Sequence, residues 1–241
     1  MVYLIRLLAP LLLIAPPALA ADDASYAALL ARYTGPDGFD YQAWHAAPAD
    51  HAALTEVVAA YGRIDSKALA PNDRKAFLIN LYNAAMLQAA LDNYPLKSVT
   101  DIGLVPFSIF KRQWIALDGD RVSLDDIEKG ILLREYPDAR VHFAVNCASA
   151  SCPPLRSEPY IGARLETQLE EQTRLFAASD HAATVDSGKK RIEFSKLFKW
   201  YREDFDVSNP AIYLNGYRDE PLPTSYKVAW QPYDWSLNQS R

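Results

Sequence analysis

The sequence predicts an α+β fold: a single helix-rich domain with a central buried helix, a small sheet and hairpins. Three observations carry that expectation. A stretch at about 73–93 is apolar on most sides, the pattern of a helix buried all round. Two turn motifs, Asp118-Gly119-Asp120 and Ser187-Gly188-Lys189-Lys190, each sit between short β-prone segments and read as hairpins. Helical and extended segments follow one another with no Pro/Gly/Ser linker between them, so one domain is expected over 21–241.

The first twenty residues read as a leader rather than as fold. Arg6 supplies a sparse positive region, 7–14 is an apolar core interrupted by Pro10, and Ala18-Leu19-Ala20 is a small-residue cleavage signal. Cleavage after Ala20 and a periplasmic or secreted destination are expected. The apolar run is shorter than the roughly 20 residues a membrane span needs, so no integral span is expected in the mature chain. The whole chain of 241 residues has a formal charge of −5, and losing Arg6 makes that −6. A mildly acidic chain without a long Lys/Arg run argues against nucleic-acid binding. Half of its residues are hydrophobic and 12% aromatic, enough for a sizeable core.

The elements follow in order. Residues 24–34 form a short helical pattern ended by Gly35-Pro36, and Phe39-Asp40-Tyr41 begins an extended piece and a helical turn. Residues 50–63 place Leu54, Val57, Val58 and Tyr61 at helical spacing. Pro71-Asn72-Asp73 starts the central helix, which stops at Tyr94-Pro95. After the first hairpin, Ser123 or Asp125 caps a helix through about 134. Residues 141–146 read as a buried strand running into a tight loop. Residues 165–178 form an amphipathic helix, 197–205 a short aromatic helix, and 226–237 an extended tail.

The chemistry concentrates in 141–155. This stretch holds both cysteines of the chain, Cys147 and Cys152, with His142 and Asn146. In an oxidising compartment the pair is a disulfide candidate, and closing so short a loop would stabilise the fold by roughly 2 kcal/mol. Alternatively Cys147, where the strand is expected to end, is a free nucleophile, which requires a base or a positive potential near its sulfur. His142 stands five residues before Cys147, and odd separation on a strand places two residues on opposite faces. It reads as a core histidine, or as a base or orienting group. Asn80 and Asn83 share one face of the central helix around Tyr82. Buried amides are costly unless satisfied, so they clamp the Cys loop or line a pocket. The histidines lack ligand spacing, so neither metal nor cofactor is expected. Asp125, Asp126 and Glu128 read as favouring a helix dipole, and Trp200, Tyr201, Trp230, Tyr233 and Trp235 as core and tail packing.

Five blocks in order resemble one known family. Phe77-Leu78-Ile79-Asn80-Leu81-Tyr82-Asn83-Ala84 is similar to the N-x-Y-N-A helix of the family called domain of unknown function 547. Ser123 to Leu132 is similar to its L-D-D-I-E-x-G-I-L segment, with Lys129 where the family often has His. His142-Phe143-Ala144-Val145-Asn146-Cys147, then Ser151-Cys152-Pro153, resembles its H-F-A-L-N-C…S-C-P block. Phe198-Lys199-Trp200-Tyr201 with Asp204-Phe205, and the closing Tyr233 to Asn238, resemble bacterial secreted members. The likeness spans about 77–238 and implies no activity. The residue types alone compare with papain-like thiol enzymes. Two functions are therefore expected as rivals. One is a thiol-dependent hydrolase or acyl transferase with Cys147 and His142 catalytic and Asn80, Asn83, Tyr82 and Asn146 binding or positioning. The other is a non-enzymatic envelope module with a structural Cys147–Cys152 disulfide. A cycling redox pair is a third, weaker reading. The partner would be a small molecule or an envelope protein.

Overall fold

A computed structural model describes residues 17–35 and 38–240. The first sixteen residues of the expected leader lie outside these, as does Pro36. A helix at Pro17–Tyr33 runs through the expected cleavage point at Ala20.

The architecture is α+β and helix-rich. The central helix, Pro71–Asp92, starts with Pro at its first position and Asp73 in its first turn, where the missing N–H and the negative charge suit a helix N-terminus. It ends where the Asn93 amide donates to Ala89 O at 2.8 Å, one turn back. Every residue from Lys75 to Leu87 is buried. Lys75 is compatible with that burial because its ammonium meets Asp138 at 2.6 Å. Helices Pro17–Tyr33 and Pro48–Tyr61 pack together, and the second of them packs on the central helix. Gly162 passes so close to the start of the central helix that a Cβ there would lie 2.8 Å from the Asp73 Cα.

The expected hairpins form. Ile115–Leu117 pairs with Asp120–Val122, and Ala183–Asp186 with Arg191–Phe194. The tail adds Lys227–Trp230 as a third strand, parallel to Arg191–Phe194. It then crosses the molecule through single bridges from Ser236 to Ser98, Leu237 to Ser149 and Gln239 to Phe39. The helix expected from Ser123 is a π-helical turn, Asp126–Leu132, followed by Leu133–Glu135. Its start is a reciprocal cap: Asp126 N–H donates to Ser123 Oγ at 3.0 Å, and Ser123 N–H to Asp126 Oδ2 at 2.9 Å.

One expectation is corrected. Residues 141–146 are not a strand. Val141–Ala144 is a single helical turn, and Val145, at its C-terminal end, is extended. Asp138 makes the difference: its carbonyl accepts from Val141 N–H at 3.0 Å, and its carboxylate accepts from Arg140 N–H at 3.0 Å. A short apolar run has no periodicity that separates strand from buried helix, and the turn at Asp138 that leads into it decides it. The turn is also the seam between two apolar cores. Val141, Ala144 and Val145 belong to the larger core around the central helix, and Phe143 to a second core with Phe176, Phe194, Phe198 and Phe205.

Candidate functional site

Cys147 follows the helical turn at the seam of the two cores. Asn83 brackets the turn's exit: its amide donates to Ala144 O at 2.9 Å and its carbonyl accepts from Asn146 N–H at 2.8 Å. Asn80 does the same at Tyr160, with 2.8 Å in both directions. An asparagine used this way satisfies one donor and one acceptor of a neighbouring backbone, so two buried amides cost little. Asn146 extends the frame into the loop. Its amide donates to Pro153 O at 2.7 Å, and its carbonyl accepts from Ala148 N–H at 2.8 Å. Ala148 adopts φ +58°, a left-handed conformation unusual for a residue with a Cβ. The tail closes the frame as Asn238 N–H donates to Ala148 O at 3.0 Å.

Both cysteines are free thiols, so the Cys147–Cys152 bridge weighed from the sequence is not formed in this structure. Cys147 N–H donates to Cys152 Sγ at 2.9 Å. Cys147 Sγ lies 3.0 Å from Ser149 Oγ and 3.4 Å from the Tyr233 hydroxyl. Burial pushes the Cys147 thiol up, but hydrogen bonds from Cys152, Ser149 and Tyr233 outweigh it and bring it down to about 7. Cys152 is pushed well up by burial and by the neighbouring Cys147.

A cavity of about 580 Å³ opens beside this thiol. Its lining includes both cysteines, Tyr82, Glu128, His142, Tyr201 and an aromatic wall. Asn80, Asn83 and Asn146 stand behind the lining and hold it. The wall is a cluster of three rings: Tyr233 and Trp235 at 4.4 Å, Trp200 and Tyr233 at 4.8 Å, and Trp200 stacked on Trp235 at 5.9 Å.

His142 is 2% exposed. Its Nε2 meets Asp204 Oδ2 at 2.8 Å, and Tyr201 lies over its ring at 3.9 Å. The acceptor at Asp204 assigns the proton to Nε2 and leaves Nδ1 as an acceptor. Nδ1 is 3.9 Å from Glu128 Oε1, which accepts from the Tyr201 hydroxyl at 3.0 Å. Burial lowers His142, although Asp204 opposes it. Burial raises Glu128, against the hydrogen bond from Tyr201. The two groups are thereby shifted toward each other, the usual state of an acid–base pair in a cleft.

The opposite-face argument for His142 and Cys147 fails with the strand on which it rested. A helical turn brings both to one cavity, but the hydrogen bonds of the two run elsewhere: His142 to Asp204, and Cys147 to Ser149 and Tyr233. Sequence reasoning gave Glu128 to a helix dipole and Tyr201 and Tyr233 to packing, and assigned Asp204 no role. Glu128 was legible as a carboxylate in an otherwise apolar helical stripe beside Ile127 and Leu132. Asp204 stood in a family-like block, but its charged Arg-Glu-Asp run gave no sign of a role.

Among the described residues, no group of three or more His, Cys, Asp or Glu could hold a metal ion, and no helix is long and apolar enough to cross a membrane. No curated protein and no solved structure matches the chain. A family model described as "Protein of unknown function, DUF547" matches residues 66–177. That segment carries the central helix, Glu128, His142 and both cysteines, whereas Trp200, Tyr201, Asp204 and Tyr233 complete the cavity from beyond it. Residues 66–177 are thus similar to the DUF547 family, in the region where the first three sequence blocks resemble it.

Proposed function

We propose that the cavity is the active site of a thiol-dependent hydrolase or acyl transferase. The observation that carries this reading is the Cys147 thiol, lowered to about 7 by hydrogen bonds and exposed to a cavity that also holds Glu128 and His142. The Cys147 thiolate attacks an acyl carbon and forms a C–S bond. The bond to the leaving oxygen or nitrogen breaks, and that atom takes a proton from the Glu128 carboxyl. Water or an acceptor alcohol or amine then attacks the acyl carbon, the C–S bond breaks and restores the thiolate, and the proton lost by the attacking group returns to the Glu128 carboxylate. Tyr233, 3.4 Å from the sulfur, is the donor for the carbonyl oxygen. Tyr201 holds Glu128 by a hydrogen bond at 3.0 Å, and His142, held by Asp204, stands beside it with Nδ1 3.9 Å away. The leader-like pattern at 1–20, and the resemblance of blocks 198–205 and 233–238 to bacterial secreted members, support placing this chemistry in the periplasm or outside the cell.

The test is turnover on a panel of activated esters, amides and thioesters. Wild-type protein turns over at least one with a rate rising through about pH 7, and Cys147→Ser abolishes it. Equal rates in the two proteins would end the thiol reading. One observation favours the rival envelope binding module: His142 bonds to Asp204 and not to Cys147, beside an aromatic wall suited to holding a ligand. In that case Cys147→Ser binds ligand as well as wild type does.

A further inference from the structure

Residues 103–107 form an apolar protrusion at the mouth of the Cys147 cavity. Leu104 is 103% exposed, Val105 64% and Phe107 40%, the most exposed consecutive cluster of large apolar side chains among the described residues. The chain holds this shape with left-handed backbone at both ends, φ +100° at Gly103 and +66° at Phe107. Ser108 Oγ donates to Ile102 O at 3.2 Å and ties the two ends together. The protrusion is therefore a built loop. It is not a core segment that failed to pack.

Its surroundings are basic and aromatic. Residues 97–112 carry Lys97, Lys111 and Arg112 against one carboxylate, Asp101, in a chain whose net charge is −5. The Arg112 guanidinium lies 5.3 Å from the centre of the Trp114 ring, which fixes it at the base of the loop. Phe107 packs edge-on against Trp235 at 4.8 Å. Phe107 and Lys111 line both the Cys147 cavity and a shallower one beneath the protrusion. Phe107 thus links the loop to the cavity, with Lys111 beside it.

We infer that loop 103–107 docks the protein on an anionic lipid surface, with the cavity mouth against it. A protein partner is recognised by a broad, complementary patch with a polar rim. A narrow apolar tip, with cations at its base and Trp and Tyr behind it, matches the layers of a lipid interface: acyl chains, phosphates and the aromatic-rich boundary. The inference goes beyond the thiol chemistry and does not depend on it.

The experiment is co-sedimentation of the mature chain with vesicles of phosphatidylcholine, with and without phosphatidylglycerol, at low and high salt. The double variant Leu104→Asp/Val105→Asp is compared with Ile212→Asp, an exposed apolar residue elsewhere, and with Cys147→Ser. Wild type, Ile212→Asp and Cys147→Ser bind the anionic vesicles equally, and salt weakens them. The double variant loses about tenfold or more in affinity, while its Cys147 still labels at the wild-type rate, showing an intact fold. Failure of wild type to bind anionic vesicles would overturn the inference, as would undiminished binding by the double variant. A concentration-dependent dimer that the double variant abolishes, with no vesicle binding, would assign the loop to a second copy instead.

Discussion

Asn83 and Asn146 are joined as two strands of a sheet would be, although neither lies in a strand. Asn83 accepts the Asn146 N–H at 2.8 Å and donates to Ala144 O at 2.9 Å, so one side chain spans the residue where the helical turn becomes the Cys loop. The position of Cys147 is thereby fixed from the most buried helix of the molecule.

Asn83→Ala leaves a buried N–H and a buried C=O without partners. The expected loss is about 2–4 kcal/mol in unfolding by denaturant, since each orphaned group costs about 1–3 kcal/mol. The labelling rate of Cys147 should change with it. Stability within experimental error of wild type would show that the loop does not depend on this clamp.

Tyr233→Phe deletes one of the hydrogen bonds that lower the Cys147 thiol. The midpoint of its alkylation rate against pH should rise by about one unit, because a hydrogen bond to a charged group is worth about 1.5–3 kcal/mol and one unit is 1.36 kcal/mol. An unmoved midpoint would assign the lowered value to Ser149 and Cys152 alone.

Glu128 gives a pH signature of opposite sign to that of an ordinary carboxylate. Its folded pKa is raised by burial, so the folded state holds the proton more tightly than the unfolded chain. The stability this contributes is full below the usual 4.5 and is lost as pH climbs through the raised value. Glu128→Gln should therefore gain on wild type between pH 5 and pH 8 in urea unfolding. A constant difference across that range would contradict a raised Glu128.

Asp138 supplies the acid limb. Burial raises its pKa, but Arg140 and Lys75 bring it down to about 2. Its contribution is present above the ordinary 3.8 and is lost as pH falls toward about 2. Asp138→Asn should lower Tm at pH 7 and flatten Tm against pH below 4. The same substitution removes one acceptor of the turn that carries His142. An unchanged acid limb would place that loss of stability in other carboxylates.

Gly38→Ala probes how the tail holds the loop. A Cβ there would fall 1.9 Å from Asn238 O, at φ +147°. Displacing Asn238 also strains its contact with Ala148 O. A loss of about 2 kcal/mol or more is expected in denaturant unfolding, and a loss below 0.5 kcal/mol would show that the tail moves freely.

The elements with strong periodicity or turn chemistry were legible in the sequence. The central helix, the Leu165–Ala178 helix and both hairpins fall within a few residues of expectation. The turn at Val141–Ala144 was not, because so short a mostly apolar run, Val-His-Phe-Ala, satisfies strand and helix patterns alike. Chemistry-bearing residue types close together in sequence, such as Cys147, Cys152 and His142, could be singled out. Asp204 and Tyr233 could not be tied to this site, because they reach the cavity from segments far along the chain, and only the packing of the second core and the crossing tail brings them there.

The central claim is that Cys147 is an activated thiol facing a cavity. It is tested most directly by site-resolved mass spectrometry of electrophile labelling against pH, on protein kept free of reductant. One label at Cys147, with a rate midpoint near the lowered value of about 7 and Cys152 modified far more slowly, is the predicted result. No label until reductant is added would show a Cys147–Cys152 bridge and contradict the claim.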